Sequence, residues 1–279
     1  MVSDKYEKLR ALIAGYKSCI VAYSGGVDSV FLAWVARDVL GDKSLAVIAD
    51  SPSLPRRELD EALAIGERFS FPVRVVRTKE FDNPAYVSNP NNRCYFCKQE
   101  LFTHLAPLAS TEGFAVVAYG ENASDIGDYR PGAQAAAEFQ VRAPLKEAGL
   151  TKAEIRELSA KFGLPTADKP QMACLSSRVP HGEAVTEAKL QMIEAAENVL
   201  RDLGFYDVRV RHHELGGKGG SYLARIEVGK DEVMRLMDAG LSMEVAGALK
   251  KIGYAHVTVD LQGYRRGSLN PVGKVEEKV

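Results

Sequence analysis

The sequence predicts an α/β protein in which a parallel-sheet domain is followed by a smaller α+β domain. Strand-like and helix-like segments alternate through the first half of the chain, the strand candidates there are continuous apolar runs, and the order of elements changes in the second half. Continuous apolar strands are typical of a sheet that helices cover on both faces. We therefore predict domains at residues 1–182 and 183–265 and a tail at 266–279.

The first domain is predicted to contain four strands and four helices. The strand candidates are residues 19–23, 44–49, 72–77 and 115–119, and the helix candidates are residues 28–40, 54–69, 96–109 and 152–162. Strands separated by helices imply βαβ units, and ligands of such sheets bind beyond the carboxyl ends of the strands. The loops that we expect at this edge are 24–28, 50–55 and 120–130.

The second domain is predicted to follow a proline-rich loop at residues 165–182. Its candidate elements are a helix at 186–203, strands at 207–212 and 222–228, one or two helices over 230–252, and a strand at 256–260. This αββαβ order predicts a small α+β domain.

The composition argues against several functional classes, namely nucleic-acid-binding, membrane-spanning and secreted proteins. The 279 residues carry 36 Lys and Arg against 37 Asp and Glu, whereas a dedicated nucleic-acid binder usually has a basic excess. No apolar run approaches the length that spans a bilayer, and the first residues lack the apolar region of a signal peptide. We expect a cytoplasmic protein without membrane or nucleic-acid partners, and homo-oligomerisation stays open. The four cysteines are then expected to be reduced.

The most informative motif is Ser-Gly-Gly-Val-Asp-Ser at residues 24–29, between a predicted strand and a predicted helix. Glycines let the backbone turn and approach an anion, and the first N–H groups of the helix then face that anion. The motif has no Gly-Lys-Ser/Thr, so it is not a Walker loop. The alternative is an ordinary strand-to-helix turn capped by Ser or Asp. The residues predicted to contact phosphate or its metal are Ser24, Gly25, Gly26, Asp28 and Ser29.

Two further loops at the same predicted edge carry polar side chains. Asp50 and Ser51 follow the second strand, and Asn122, Asp125 and Arg130 follow the fourth. Carboxylates suit the Mg²⁺ that accompanies a nucleotide, and an arginine suits its phosphate. Asx turns and helix caps are the alternative use of these residue types. We predict that these loops complete a nucleotide site.

Three cysteines predict sulfur chemistry. Cys94 and Cys97 form a CxxC pair at the start of a helical pattern, and Cys174 lies in the loop between the domains. A lone CxxC pair serves as a redox pair, as half of a zinc site or as part of an iron–sulfur site. Three thiolates suit a [4Fe–4S] cluster whose fourth iron is open, and three independent reduced thiols are the alternative. Cys19, inside the first strand, is predicted to be a small core residue.

Alternation along residues 208–212 places Arg209 and Arg211 on one face of a predicted strand. Two neighbouring guanidinium groups suit bidentate capture of a phosphate monoester. The alternative, which the residues alone favour, is a solvated face with cross-strand ion pairs.

In their order along the chain, these blocks resemble the LarE-type sulfur transferases of the PP-loop ATP pyrophosphatase superfamily. The blocks are residues 24–29, Asp50-Ser51-Pro52, the CxxC-Lys element, the 122–132 loop and Cys174-Leu-Ser-Ser-Arg178, and the resemblance covers residues 1–265. It implies an adenine nucleotide alpha hydrolase-like fold. It also implies an enzyme that uses ATP and Mg²⁺ to adenylate the carboxylates of pyridinium-3,5-dicarboxylate mononucleotide. The enzyme that the resemblance implies releases pyrophosphate and makes thiocarboxylates for the nickel-pincer cofactor of lactate racemase.

The resemblance also assigns roles to residues of this sequence. Asp28 serves ATP cleavage, and Cys174 stands at the position of the sulfur nucleophile that displaces AMP. The residues expected at the substrate phosphate are Arg209, Arg211, Ser177 and Arg178, and those expected at a divalent metal are Glu197 and Glu227. The implied partners are the small nucleotide substrate and a source of sulfide.

Cys94 and Cys97 are similar to the extra cysteines of the three-cysteine branch of this family, which holds an iron–sulfur cluster. Other members have a single cysteine at the position of Cys174 and sacrifice its sulfur. We therefore predict a [4Fe–4S] cluster on all three cysteines that carries the transferred sulfide. The alternatives are a cluster-dependent tRNA thiolase, an amide synthetase of the same superfamily, and a non-catalytic nucleotide sensor.

Overall fold

The computed structural model describes residues 2–125, 131–170, 173–216 and 220–265. It divides into two units, which we call the N-terminal unit (Met1–Asn83 and Asn92–Met172) and the C-terminal unit (Pro84–Asn91 and Ala173–Val279). The chain thus passes into the second unit upstream of residue 182, and a short earlier segment also belongs to that unit. The tail at 266–279 lies outside the described residues.

Four parallel strands form the sheet of the N-terminal unit. They are β1 (Cys19–Tyr23), β2 (Ser44–Asp50), β3 (Val73–Arg77) and β4 (Val116–Tyr119), in the order β3-β2-β1-β4. The predicted α/β class and the parallel sheet are confirmed. Because β1 is a central strand, its carboxyl end lies between those of β2 and β4.

Eight helices precede, separate or follow these strands within the described residues. They are α1 (Val2–Tyr16), α2 (Val27–Leu40), α3 (Arg56–Arg68), α4 (Pro84–Val87), α5 (Arg93–Glu112), α6 (Pro131–Glu138), α7 (Pro144–Glu147) and α8 (Lys152–Lys161). The four predicted helices correspond to α2, α3, α5 and α8. Helix α1 is not predicted, although Leu9, Ile13 and Tyr16 are buried at helical spacing. None of the helices within the described residues is both long and apolar enough to cross a membrane.

Strand β1 separates two hydrophobic cores. Its odd-numbered residues, Cys19 among them, pack in one core with Phe31 of α2 and Ile155 of α8. Its even-numbered residues pack in the other core with Phe102 of α5. All five residues of the strand are buried, which explains why the sequence shows a continuous apolar run there rather than an alternating one.

The C-terminal unit contains a three-stranded sheet. Besides α4 and a short 3₁₀ helix (Leu175–Arg178), its elements are α9 (Glu187–Asp202), β5 (Arg209–Leu215), β6 (Ser221–Glu227), a 3₁₀ helix (Lys230–Met237), α10 (Ala239–Ile252) and β7 (His256–Val259). Strand β6 lies in the centre, antiparallel to β5 and parallel to β7. The predicted αββαβ order and the α+β class of this part of the chain are confirmed.

Candidate functional site

Residues 24–29 form the turn between β1 and α2, as predicted. The N–H of Ser24 donates to Ser29 Oγ at 3.1 Å, and Ser29 Oγ donates to the Gly26 carbonyl at 3.0 Å. Gly25 has a φ of 70°, in the left-handed region that glycine adopts without strain. The turn is therefore closed by its own serines.

Two glycines allow neighbouring elements to lie directly against this turn. A Cβ atom on Gly25 would lie 2.9 Å from Ala62 Cβ of α3. A Cβ atom on Gly120, which follows β4, would lie 3.0 Å from both Asp28 Cβ and the Ser29 nitrogen. The loop after β4 thus approaches the N-terminus of α2, where N–H groups without intrahelical partners favour an anion. The sequence pattern points to this loop but does not single out Gly120.

Asp28 lies in the first turn of α2, and only one of its two oxygens has a partner. Oδ2 accepts a hydrogen bond from Lys152 Nζ at 2.6 Å, whereas Oδ1 is buried and has no donor at hydrogen-bond distance among the described residues. Burial raises the pKa of Asp28, and the Lys152 ammonium opposes that shift. The Asn122 side chain is also near enough to lower the pKa of the carboxyl as a hydrogen-bond donor. A buried oxygen without a partner is costly, and the divalent metal of a bound nucleotide would satisfy it. The geometry therefore fits Asp28 as a ligand of nucleotide-bound Mg²⁺.

Lys152 reaches Asp28 from the start of α8. Thr151 and Glu154 form a capping box around this residue, and the T-x-x-E pattern in the sequence predicts that helix start. The pattern does not predict the ion pair, because Asp28 is 124 positions away along the chain.

Lys169 contacts the turn at residues 24–29 near Gly25 and α3. It is buried, and its Nζ lies 2.8 Å from both Glu58 and Glu61 of α3 and 3.4 Å from the Gly25 carbonyl. Burial alone would lower the pKa of Lys169, but the two carboxylates outweigh burial and raise it. The lysine therefore stays charged beside the turn at residues 24–29, and no motif in the sequence marks it.

The loop after β4 is held by its own polar side chains. Asn122 is buried, and its Oδ1 accepts the Ser124 N–H at 2.9 Å. Asp125 Oδ2 accepts the Asn122 N–H at 3.2 Å, so both residues make Asx-type contacts. Both also border Asp28, since each influences its pKa. Arg130, which is predicted for the same site, lies outside the described residues.

Asp50 and Ser51 lie at the carboxyl end of β2, at the predicted edge. Asp50 pairs with Arg56, which also donates to the Ser51 carbonyl at 2.8 Å. Ser51 Oγ lies 2.8 Å from Ser53 Oγ. These two predicted nucleotide residues are therefore already engaged in contacts within the protein.

Cys94 and Cys97 lie at the start of α5, as predicted. Cys94 is exposed and Cys97 is half-buried. Burial lowers the pKa of the following Lys98, and the two thiols oppose that shift. A helix N-terminus and a neighbouring cation both favour the thiolate, which is the form that binds metals and acts as a nucleophile.

Cys174 lies in the C-terminal unit and is half-buried. Arg178 holds its loop, because Nη1 donates to the Ala173 carbonyl at 2.6 Å and to the Cys174 carbonyl and Ser177 Oγ at 3.0 Å. The other donors of Arg178 bind the two oxygens of Glu197 at 2.8 and 3.0 Å. The side chain is fully buried. Arg178 thus fixes the backbone around Cys174, and its contact with a substrate phosphate stays a prediction.

Glu197 and Glu227 are fully buried among arginines. Glu197 also accepts a bond from Arg201 at 2.8 Å. Glu227 Oε2 accepts two bonds from Arg211, at 3.0 and 2.7 Å, and Oε1 pairs with Arg225 at 3.0 Å. Burial alone would raise the pKa of Glu197, but the arginines hold it at about 2. A divalent metal on either carboxylate would have to displace an arginine.

Arg209 and Arg211 share one face of β5, as the alternation predicts. Both are buried, so the face is not solvated. Arg211 makes the cross-strand ion pair with Glu227 and donates to the Ser177 carbonyl at 2.9 Å. Arg209 donates to Asp207 at 3.2 Å.

The cysteine side chains do not form a metal site among the described residues. Within the described ranges, no group of three or more His, Cys, Asp or Glu side chains is placed to hold a metal ion. The iron–sulfur cluster therefore stays a prediction. Cys19, in contrast, is a core residue as predicted, and burial raises the pKa of its thiol to about 12.

Known proteins resemble this chain along nearly its whole length, although no family model matches it. It is 43% identical over 272 residues to the uncharacterized protein slr1717 of Synechocystis sp., covering 98% of this chain and 99% of that protein. It is 32% identical over 270 residues to the pyridinium-3,5-bisthiocarboxylic acid mononucleotide synthase of Lactiplantibacillus plantarum, covering 96% and 95% of the two chains.

The chain is also similar, more distantly, to a GMP synthase. The chain is 26% identical over 224 residues to a glutamine-hydrolyzing GMP synthase chain of Halorubrum lacusprofundi, covering 74% of this chain and 71% of that one. This similarity agrees with a PP-loop at residues 24–29. The similarity to the Lactiplantibacillus synthase extends over almost the whole of both chains. The chain therefore belongs to the family of the pyridinium-3,5-bisthiocarboxylic acid mononucleotide synthase, the LarE-type proteins of the PP-loop superfamily.

Proposed function

We propose that the protein is an ATP-dependent sulfur transferase that converts the carboxylates of pyridinium-3,5-dicarboxylate mononucleotide to thiocarboxylates. The observation that carries the proposal is the state of Asp28 at the PP-loop. One oxygen binds Lys152, and the other is buried without a partner among the described residues. The relative from Lactiplantibacillus plantarum is named for a pyridinium bisthiocarboxylic acid mononucleotide, the product of such chemistry.

Adenylation supplies the leaving group that this reaction needs. A substrate carboxylate attacks the α-phosphate of ATP, pyrophosphate leaves, and a sulfur nucleophile then displaces AMP from the acyl carbon. The turn at 24–29 and the first N–H groups of α2 bind the phosphates. Asp28 would hold Mg²⁺, and the bound ion would supply positive charge opposite the leaving pyrophosphate.

We propose that Cys94, Cys97 and Cys174 bind a [4Fe–4S] cluster, since thiolates are the usual ligands of such clusters. When bound, the cluster would supply sulfide to the activated carboxylate. The chain itself favours the thiolates of Cys94 and Cys97 through the N-terminus of α5, and it holds the backbone of Cys174 through Arg178. Direct donation of sulfur by Cys174 is the competing route.

The substrate phosphate is proposed to bind Arg209 and Arg211 near Ser177. Both arginines are buried on one face of β5, and Arg211 already contacts the Ser177 carbonyl. Guanidinium groups bind phosphate through parallel hydrogen bonds, which gives orientation as well as charge.

The activation step is tested by AMP formation from ATP and Mg²⁺ in the presence of the dicarboxylate mononucleotide under anaerobic conditions. D28N removes the charge of the metal ligand while keeping its shape, and it should lower the rate roughly 100-fold. D38N is the matched control, because Asp38 lies on the same helix and pairs with Arg10; it should keep the wild-type rate. Wild-type AMP formation by D28N would refute the role of Asp28.

The sulfur step is tested by the iron and sulfide content of anaerobically purified protein. A [4Fe–4S] cluster predicts about four iron and four sulfide per chain. Each of C94S, C97S and C174S should lower both, whereas C19A, which changes the cysteine of the core, should not. A colourless protein after reconstitution, with Cys174 converted to dehydroalanine on turnover, would establish direct donation instead.

The similarity to GMP synthases favours one second candidate, an amide synthetase in which ammonia attacks the adenylated carboxylate. Mass spectrometry of the product formed with ammonia and sulfide both present separates the two. A thiocarboxylate supports the sulfur transferase, and an amide supports the alternative.

A further inference from the structure

One aromatic side chain of the C-terminal unit, Tyr264, stacks on Arg209. The guanidinium carbon lies 4.7 Å from the centroid of the ring, a distance at which an aromatic face attracts a cation. The N–H of Tyr264 donates to the Val228 carbonyl at 2.8 Å. The chain after β7 therefore returns to the end of β6 and holds the ring in place beside the proposed phosphate site.

Arg209 lies close to a second buried arginine. Glu197 pairs with Arg178 and Arg201, and Asp207 pairs with Arg209. Burial, and next the charge of Arg178, lower the pKa of Arg209. An anion bound beside these guanidinium groups would relieve their repulsion, which suits a binding site for phosphate.

The two proposed phosphate ligands are held in different ways. Arg211 donates two bonds to one oxygen of Glu227, at 3.0 and 2.7 Å, so a carboxylate balances its charge. Arg209 Nη1 donates to Asp207 at 3.2 Å and to the Val208 carbonyl at 2.7 Å, and the ring of Tyr264 contacts the face of the same guanidinium group. Guanidinium N–H donors point outward in the plane of the group, so stacking on the face takes none of them.

We propose that Tyr264 is a positioning residue for the substrate phosphate, which orients the Arg209 guanidinium through stacking without taking any of its N–H donors. The inference rests on the proposed function and deepens it, because it brings the chain beyond β7 into substrate recognition. It concerns the aromatic ring and assigns no role to the hydroxyl group.

The test uses the full-length protein and calorimetric titration. The probes are nicotinic acid mononucleotide, which is a pyridinium mononucleotide with one carboxylate, its dephosphorylated nucleoside, and ATP. Y264L should weaken binding of the mononucleotide about 3- to 30-fold, the range expected for loss of a cation–π contact. It should leave the affinities for the nucleoside and for ATP unchanged. Y264F keeps the ring and should bind the mononucleotide as the wild type does.

R235A is the matched control. Arg235 stacks on Phe205 at 4.1 Å in the same unit, so this variant also loses an arginine–aromatic stack, and it should keep the wild-type affinity for the mononucleotide. If Y264L does not fold, Y264H takes its place with a smaller loss expected. In the R209M background, replacing Tyr264 should cause no further loss.

The outcomes separate the proposed role of Tyr264 from the proposed phosphate site at Arg209 and Arg211. Equal mononucleotide affinity in wild type and Y264L overturns the inference, and so does an equal loss in Y264F, because the hydroxyl would then carry the effect. A wild-type protein that binds the mononucleotide no better than the nucleoside contradicts the proposed phosphate site itself.

Discussion

At the scale of single residues, the position of Asp28 depends on a residue without a side chain. Gly120 lets the loop after β4 lie so close that a Cβ atom would stand 3.0 Å from Asp28 Cβ. The neighbouring atoms are the backbone and Cβ of a helix start, which cannot move aside as the end of a flexible side chain does. The geometry of Asp28, the proposed metal ligand, is therefore set by a backbone approach as well as by the Lys152 ion pair.

G120A should displace Asp28 by a few tenths of an ångström and lower kcat/KM for AMP formation about tenfold, because small misplacements of catalytic groups are costly. The control is G15A, since a Cβ atom on Gly15 of α1 would meet nothing within 4 Å. Steady-state kinetics and thermal melting of both variants check the prediction. If G120A and G15A are equally active, the close approach does not matter for catalysis.

At the scale of elements, strand β5 combines a charged face with a buried histidine on the other. His212 is fully buried between Tyr222 and Tyr254, with ring centroids 4.6 and 5.4 Å away. Its Nδ1 lies 3.1 Å from the Tyr254 hydroxyl, and its Nε2 has no partner among the described residues. Burial lowers the pKa of His212 to about 4.

The stability of the C-terminal unit should therefore depend on pH. Unfolded His212 takes up a proton near its ordinary pKa of about 6.5, whereas the folded protein resists protonation until about pH 4. The unfolded state binds more protons between these values, so the free energy of unfolding falls as the pH drops. From pH 7 to pH 5 the contribution of His212 should fall by about 2 kcal/mol.

Urea denaturation at pH 7 and pH 5 checks this prediction. H212N should remove most of the pH dependence, because asparagine does not titrate. H256N is the control, since His256 is exposed on β7, and it should retain the wild-type dependence. A wild-type protein that is equally stable at both pH values would contradict the assignment.

At the scale of the whole molecule, the two units interleave along the chain, because Pro84–Asn91 belongs to the C-terminal unit. Asn89 anchors this segment within that unit. It is fully buried, and its Nδ2 donates to the carbonyls of Val179 and Pro180 at 3.2 and 2.7 Å. Its own carbonyl accepts the Gly182 N–H at 3.0 Å. Residues upstream of Cys94 thus help to hold the chain that follows Cys174.

Replacing Asn89 should destabilise the C-terminal unit in the full-length protein. N89A leaves two carbonyls without their donor and should lower the free energy of unfolding by about 2–3 kcal/mol. N89G loses the same bonds but adopts the positive φ of 54° without strain, so it should be the less destabilised of the two. Hydrogen exchange of residues 179–185 measures the effect. Wild-type exchange in both variants would show that the segment is not anchored by this side chain.

Much of the fold is predictable because its signals are local. The apolar run at 19–23 and the Ser-Gly-Gly turn after it identify β1, the PP-loop and the start of α2 without any knowledge of distant residues. The missed helix α1 has a local pattern as well, with Leu9, Ile13 and Tyr16 on one face. Its apolar positions are spaced widely among charged ones, so the pattern stands out less than those of the buried helices.

The sequence by itself determined the α/β class and the strand, turn and helix around residues 24–29, and it predicted the phosphate and sulfur chemistry, because propensity, turn chemistry and side-chain reactivity are properties of short segments. Only the tertiary structure determined which side chains contact each other. It placed Lys152 on Asp28, Lys169 beneath Gly25, and Tyr264 on Arg209. It also buried Glu197 and Glu227 among arginines. These contacts join residues far apart in the chain, and packing of the elements, rather than any local pattern, sets which charges meet.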